Sequence, residues 1–163
     1  MTEINLKAII DGLREKEMTV AFAESCTGGR LAADLTTIPG SSDVIMGSAV
    51  VYQIEAKKRI LGLSAVTERN VVTLQTAKEM ADAAREMFGS TIAIATTGYL
   101  DNKGEFVDTT EAVVAVSWPL GMTRAEYVEG MDPNFTRAIN RELVIQHAML
   151  ELMTFAKDTD DTG

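Results

Sequence analysis

The stretch that most restricts the fold of this chain covers residues 21–35, AFAESCTGGRLAADL. An apolar run at 20–23 predicts a short buried strand, and from Arg30 onward the apolar residues recur at helical spacing. A polar cluster and two glycines, Gly28 and Gly29, separate the two patterns. Glycines at such a turn let the backbone approach a ligand closely, and the first helical amides face the same space. The pattern predicts a site for a phosphate, a carboxylate or a developing oxyanion, with a simple capped turn as the alternative.

Ser25 lies where this predicted strand ends, which is the position at which a nucleophile would be presented to a ligand. The neighbouring Cys26 is a second candidate, because a helix N-terminus lowers the pKa of a thiol. Adjacent residues at a strand end point to opposite sides, so only one of the two can face a given crevice. We interpret Ser25 as the candidate nucleophile and Cys26 as a small buried residue beneath the sheet.

Tyr52 and Lys57 form the second informative feature. Residues 44–52, VIMGSAVVY, are almost continuously apolar, which predicts a strand covered on both faces and ending at Tyr52. Lys57 lies about one turn into the helix predicted over 55–61. A lysine kept neutral by burial can take a proton from a serine, and a tyrosine can relay or donate one. Ser25, Tyr52 and Lys57 are therefore candidates for hydrolysis, whereas an exposed tyrosine and a solvated lysine are the structural alternative.

The rest of the chain alternates between helical and strand patterns. Further helices are predicted over 2–17 with Thr2 as cap, over 29–36, over 74–88 with Thr73 as cap, and from Asp132 and Pro133 to residue 155. Further strands are predicted over 91–96, 112–118 and 124–129, with a polar loop over 99–111. This alternation predicts an α/β domain of three layers, α/β/α, with a mixed, mostly parallel sheet. We expect one domain over residues 1–156 and a disordered tail over 157–163.

Several polar residues follow predicted strands and so are expected at one edge of the sheet. Ligands of open α/β sheets bind beyond the carboxyl ends of the strands. Ser25, Tyr52, Thr97 and Gly98 all fall at such ends. We therefore predict that they meet at a single crevice.

The charge balance limits the classes of partner. The 163 residues carry 15 basic and 24 acidic side chains, a formal net charge of −9, whereas nucleic-acid-binding modules carry a basic excess. We expect no nucleic-acid partner. No apolar run approaches the ~20 residues that span a bilayer, so no membrane partner is expected either. A small anionic ligand would need locally clustered positive charge, for which the sequence offers three candidates: the helix start at 28–30, the basic run at 57–59, and Arg137 with Arg141.

One cysteine and one histidine limit the redox and metal chemistry. Cys26 alone cannot form an internal disulfide, which favours a reducing, cytoplasmic location. With His147 as the only histidine, a zinc site of nitrogen and sulfur ligands has no support. We interpret His147 as a structural residue, and a pair of Ser25 with His147 is the alternative.

Two segments carry a resemblance to a known family. ESCTGG at 24–29, followed by LAADLTTIPGSSD at 31–43, resembles the C-terminal domain of the CinA family of competence/damage-inducible proteins. VVYQIEAKKRILG at 50–62 is similar to the family's Tyr-Ser-Asn-x-x-Lys…Leu-Gly segment. The similarity continues through the helix at 74–89, Thr97 and Gly98, and the final helix with Arg137, so it covers nearly the whole chain.

This resemblance implies a stand-alone, metal-independent amidohydrolase that converts nicotinamide mononucleotide into nicotinate mononucleotide and ammonia. It implies Ser25 as the nucleophile, with Tyr52 and Lys57 activating it and moving its proton. Substrate contacts are implied for eight residues: Glu24, Thr27, Gly28, Gly29, Thr73, Thr97, Gly98 and Arg137. It further implies no cofactor, and a homodimer or larger homo-oligomer.

The chain departs from the family pattern at three places. Ile54 replaces an asparagine, NVVT at 70–73 replaces Gly-Ala-Val-Ser, and the loop TGYLDNKG at 97–104 replaces a glycine-rich one. The new loop adds the bulk of Tyr99 and Leu100 and the negative charge of Asp101, and a carboxylate within ~5 Å of a phosphate costs on the order of 1–3 kcal/mol. Two hypotheses therefore remain: an amidohydrolase, and a catalytically inactive paralogue that binds a nucleotide or a protein partner.

Overall fold

A single five-stranded sheet organises the chain in the computed structural model, which describes residues 3–104 and 109–157. The strands are β1 (Val20–Glu24), β2 (Ile45–Val50), β3 (Ile92–Tyr99), β4 (Glu111–Trp118) and β5 (Met122–Tyr127). The α-helices are α1 (Leu6–Glu15), α2 (Arg30–Leu35), α3 (Ile54–Leu61), α4 (Leu74–Phe88) and α5 (Arg137–Lys157), and a 3-10 helix covers Ser41–Asp43.

The strands are ordered β2-β1-β3-β4-β5. β1 pairs in parallel with β2 and β3, and β4 pairs antiparallel with β3 and β5. Four strands therefore run in one direction and only β4 opposes them. The predicted α/β class with a mixed, mostly parallel sheet is confirmed, including the hairpin formed by the last two strands.

Side chains that alternate along the strands form a separate core on each face of the sheet. Phe22 of β1 and Ile94 of β3 pack with α1, α2 and α5. Ala23 and Ala95 point the other way and pack with α4. The alanines keep that face flat, so α4 can lie close to β1, β3 and β4.

α5 begins later than the sequence predicts. The Asp132 carboxylate accepts a hydrogen bond from the Asn134 amide (2.8 Å), so residues 132–135 form a turn rather than the first turn of a helix. Thr136 caps the helix instead, with its hydroxyl accepting from the Ile139 amide at 3.2 Å. The helix begins at Arg137 as a result.

Two strand ends also differ from their predicted positions. β2 ends at Val50, so Val51 and Tyr52 leave the sheet before α3 begins. β3 continues past residue 96 to Tyr99, which pairs with Glu111 of β4. The antiparallel partner strand provides hydrogen-bonding groups for residues that the sequence pattern alone assigns to a loop.

Three further predictions concern the two ends of the chain and membrane-spanning helices. α1 is capped by the side chain of Asn5, and the predicted cap Thr2 lies outside the described residues. Lys157, predicted to open a disordered tail, is the last residue of α5, while 158–163 and the loop residues 105–108 lie outside the described part. Among the described helices, none is both long and apolar enough to cross a bilayer.

Candidate active site

Ser25 and Lys57 are brought into direct contact. Ser25 follows the last residue of β1, and Lys57 lies in the second turn of α3. The Lys57 Nζ atom lies 2.8 Å from Ser25 Oγ, 2.8 Å from the carbonyl oxygen of Val51 and 3.1 Å from that of Tyr52. The lysine is only 1% exposed, so its amine is held among these three oxygens.

Burial lowers the pKa of the Lys57 ammonium from 10.5 to about 8, because a charged amine loses hydration there. A neutral amine has two N–H donors and one lone pair. The carbonyls of Val51 and Tyr52 can only accept, so they take the two N–H groups. The lone pair is then left for the Ser25 hydroxyl, which is the arrangement a general base requires.

Tyr52 reaches this pair through its backbone, not through its phenol. Its carbonyl lies 3.4 Å from Ser25 Oγ, whereas its side-chain hydroxyl accepts a hydrogen bond from Arg137 Nη2 at 3.2 Å. The side chain is largely exposed at the rim of the crevice. This geometry does not support the predicted proton relay through the phenol, because the phenol oxygen is hydrogen-bonded to the Arg137 guanidinium and not to Ser25 or Lys57.

Glu24 and Thr27 stabilise the turn between β1 and α2. The Glu24 carboxylate accepts hydrogen bonds from the Thr27 hydroxyl (2.8 Å), the amides of Leu31 (2.8 Å) and Ala32 (3.3 Å), and the Ser48 hydroxyl (2.8 Å). The Thr27 hydroxyl also lies 2.9 Å from that of Thr96. Glu24 and Thr27 are both fully buried, and their side chains stabilise this turn, whereas the predicted substrate contacts of Glu24 and of the Thr27 amide stay predictions.

We expect Glu24→Ala to lower the free energy of unfolding by about 2–4 kcal/mol, because two buried and two partly buried donors lose their acceptor. Urea unfolding at 25 °C measures this loss. The matched control is Glu55→Ala, since the Glu55 side chain is 70% exposed and its carboxylate makes a long ion pair, 3.8 Å, with Arg59. A loss below about 0.5 kcal/mol for Glu24→Ala would contradict a structural role.

The two glycines give this turn its shape. Gly28 and Gly29 have φ values of +61° and +97°, in the left-handed region where side chains are disfavoured. The Gly28 amide donates to the Ser25 carbonyl at 3.1 Å. Within the described part of the chain, the amides of Thr27 and Gly29 donate to no backbone acceptor, and the Cys26 amide faces its own thiol. Among these three residues, Cys26 lines a cavity near Ser25, whereas Thr27 and Gly29 line neither that cavity nor the one that contains Ser25.

Thr73, Thr97 and Gly98 have structural contacts of their own. The Thr73 hydroxyl accepts from the Thr76 amide (3.1 Å) and caps α4, and Thr73 does not line the crevice. Thr97 lines the crevice but donates its hydroxyl to the Val71 carbonyl at 2.8 Å. Gly98 is required by the β3–β4 pairing, because a Cβ there would lie 2.5 Å from that of Ala112.

A cavity of about 370 Å³ opens beside Ser25 and Lys57. The divergent loop forms part of its wall and does not fill it. Tyr99 and Leu100 both line it: the Tyr99 hydroxyl donates to the Glu68 carbonyl at 2.9 Å, and Leu100 is buried against the core. The volume falls in the range of small-molecule sites. The predicted crevice therefore exists, with Ser25, Lys57, Thr97 and Gly98 in its wall and Tyr52 at its rim.

Comparison with known proteins identifies the family. The sequence model described as "CinA C-terminal domain" matches residues 3–156. The chain belongs to the CinA family. It is 35% identical over 156 residues to a CinA-like protein of Salinibacter ruber, covering 91% of this chain and 36% of that protein. A CinA-like protein of Flavobacterium psychrophilum is 37% identical over 137 residues, with 80% and 33% covered.

The chain thus spans about a third of the length of these curated CinA-like relatives. Among solved structures, it is similar to the competence/damage-inducible protein CihA from Agrobacterium tumefaciens. That structure is 26% identical with a TM-score of 0.84, and the match covers 96% of this chain and 100% of that one. A competence or damage-inducible protein from Enterobacter asburiae is also 26% identical, with a TM-score of 0.84 and 93% and 96% covered. The fold is therefore that of the CinA superfamily.

The surroundings of Cys26, the alternative nucleophile, and of His147, the alternative base, do not suit catalysis in this CinA-family chain. Burial raises the pKa of the Cys26 thiol to about 12, so the thiol stays protonated and is a poor nucleophile. His147 faces Glu126 at 3.5 Å and Glu151 at 3.9 Å, and it does not line the cavity that contains Ser25. A pair of Ser25 with His147 is therefore not formed.

Sequence reasoning missed two parts of this site. The carbonyls of Val51 and Tyr52 orient the Lys57 amine, but backbone groups have no residue-type signature. The ion pair of Asp101 with Arg137, at 2.9 Å, joins residues that are 36 positions apart. The only signal for it was the unusual acidic residue at position 101 of a loop that is glycine-rich in the family pattern.

Proposed function

We propose that this chain is a metal-independent amidohydrolase that resembles nicotinamide mononucleotide deamidase and releases ammonia and nicotinate mononucleotide. The observation that carries the proposal is the 2.8 Å contact between Ser25 Oγ and a buried Lys57 amine. This pair combines a nucleophile with a base whose pKa, about 8, suits neutral to mildly alkaline conditions.

In the first step, Ser25 Oγ attacks the carboxamide carbon while its proton passes to Lys57 Nζ. The carbonyl oxygen becomes an oxyanion, for which the backbone amide of Cys26, the residue that follows Ser25, is the candidate donor. Collapse of the tetrahedral intermediate breaks the C–N bond. Lys57 returns the proton to the leaving nitrogen, so ammonia departs and an acyl ester on Ser25 remains.

In the second step, a water molecule attacks the acyl ester and Lys57 takes one of its protons. Collapse of the second intermediate breaks the bond to Ser25 Oγ and restores the serine hydroxyl with the proton from Lys57. The product is the carboxylic acid, and both residues return to their starting state. The same base therefore serves both halves of the reaction.

A second cavity supports a phosphate-bearing substrate. It has a volume of about 440 Å³, adjoins the first, and is lined by Gly28, Tyr52, Arg137 and Arg141. Within the described part of the chain, the buried Nε of Arg141 has no hydrogen-bond partner. Two guanidinium groups one helical turn apart suit a phosphate. We propose that the nicotinamide end binds beside Ser25 and the phosphate end in this second cavity.

Ammonia release from nicotinamide mononucleotide, measured in EDTA over pH 6–10, tests the proposal. We expect kcat/KM to be low below pH 7, to rise with an apparent pKa near 8 and to level off above it, because only the neutral Lys57 amine can accept the serine proton. A heat-inactivated sample is the control. Absence of turnover with nicotinamide-bearing substrates, or a rate independent of pH, would refute the proposal.

A non-catalytic nucleotide-binding protein is the second candidate. The observation that favours it is the divergent loop, whose Asp101 pairs with Arg137 where the family pattern has a glycine-rich segment, so that the wall of the catalytic cavity differs from that of the family. Nucleotide binding detected by thermal shift, without ammonia release from any of the substrates above, would support this candidate.

A further inference from the structure

Asp101 lines the first cavity and forms an ion pair with Arg137, which lines both cavities. Arg137 Nη1 donates to Asp101 Oδ2 at 2.9 Å, and Arg137 Nη2 donates to the Tyr52 hydroxyl at 3.2 Å. The second carboxylate oxygen, Oδ1, accepts from the Lys103 amide at 3.2 Å. The hydrogen bond from Arg137 lowers the pKa of Asp101 and raises that of Arg137, so both stay ionised at neutral pH.

The carboxylate occupies a position on Arg137 that a substrate anion would otherwise use. A guanidinium binds carboxylates and phosphates through the same N–H groups. Asp101 is held there by its own loop, through Lys103, so it is already in position before any ligand arrives. The pair has no net charge, and the attraction left for a phosphate comes mainly from Arg141.

We infer that Asp101 is a specificity-determining residue that competes with the substrate phosphate for Arg137. It thereby shifts the binding preference of the site from nicotinamide mononucleotide toward similar carboxamides that lack the phosphate, such as nicotinamide riboside. The inference rests on the proposed function, since it concerns the substrate of that site. A neutral sugar hydroxyl near Asp101 avoids the repulsion that a phosphate meets there and can donate to the carboxylate.

Binding to a variant that cannot turn over substrate tests this inference. Titration calorimetry would compare nicotinamide mononucleotide with nicotinamide riboside on Ser25→Ala and on Ser25→Ala/Asp101→Asn. We expect Asp101→Asn to lower Kd for the mononucleotide about five- to tenfold and Kd for the riboside less than twofold. Asparagine keeps the shape and the loop contact but removes the charge.

Asp43→Asn in the same Ser25→Ala background is the matched control. Asp43 is an exposed aspartate 3.4 Å from Arg14, and it lines neither cavity. Its replacement removes the same formal charge from the chain, so it separates a general electrostatic effect from a local one. We expect this control to change both Kd values less than twofold.

The possible outcomes separate the inference from the proposed function. An unchanged Kd for the mononucleotide, or an equal change for both ligands, would overturn the inference alone. If neither ligand bound any variant, the proposed function would fail. Titration of the same variants with inorganic phosphate would then test the inference by itself. Tighter phosphate binding to the Asp101→Asn variant than to its parent would support it, and equal binding would overturn it.

Discussion

Replacing Ser25 by alanine is expected to lower kcat for ammonia release by about a thousandfold or more, as for other covalent nucleophiles. The hydroxyl is the group that lies 2.8 Å from the Lys57 amine, and no other hydroxyl within the described part of the chain bonds to that atom. Alanine removes one oxygen and leaves the β1–α2 turn unchanged, because the Glu24 network does not include the Ser25 side chain. The measurement is coupled detection of ammonia under single-turnover and steady-state conditions.

Ser64→Ala is the control for this prediction, since Ser64 is an exposed serine outside the cavity. It should retain full activity. Binding of nicotinamide mononucleotide to Ser25→Ala should persist within a few-fold, which would show that the loss lies in the chemical step. A Ser25→Ala protein that kept more than a tenth of the activity would rule out a serine nucleophile.

Replacing Lys57 by methionine is expected to lower kcat/KM by about a thousandfold or more, because the unbranched side chain fills the same space without a base. The rise of activity with an apparent pKa near 8 should vanish with it. Lys57→Arg should not restore activity, since a guanidinium remains protonated across this pH range and cannot accept the Ser25 proton. The comparison uses the same ammonia assay over pH 6–10.

Lys58→Met provides the matched control, because Lys58 is the next residue in α3 and does not line the cavity. It should keep both the rate and the pH profile of the parent. Thermal unfolding of Lys57→Met should remain cooperative, which would separate loss of the base from loss of the fold. A Lys57→Met protein with an unchanged pH profile would assign the proton transfer to another group.

Much of the fold could be predicted because it depends on patterns that are local in sequence. The apolar runs at 20–23 and 44–52 predicted that β1 and β2 exist, and Thr73 and Gly89 marked both ends of α4 as the structure has them. The prediction that the second of these strands is covered on both faces was wrong, because β2 is a partly exposed edge strand of the sheet. Helical or strand periodicity records which side of an element is buried, so the alternation of elements was sufficient for the α/β class. The end of β3 and the start of α5 could not be predicted, because pairing with Glu111 and capping by Thr136 decide them.

The candidate site, like the fold, could be predicted only in part from the sequence. Ser25 could be chosen because it follows β1, and Lys57 because it lies in the helix after β2, and their contact has the geometry expected of such a pair. Glu24 and Thr27 belong to the same motif but are buried in hydrogen bonds, and a sequence motif does not separate residues that shape a turn from residues that meet a ligand. The phenol of Tyr52 likewise faces Arg137, which comes from a helix 85 residues further along the chain.

The sequence by itself determined the layer architecture, the glycine turn after the first strand, and the types of residue that supply the serine and the amine. Only the tertiary structure decided that the amine is desolvated, that two backbone carbonyls orient it toward the serine, and that Asp101 pairs with Arg137. The physical reason is that periodicity and backbone preference act over a few neighbouring residues. Desolvation and charge pairing depend on groups that are distant in sequence and meet only when the sheet and its helices assemble.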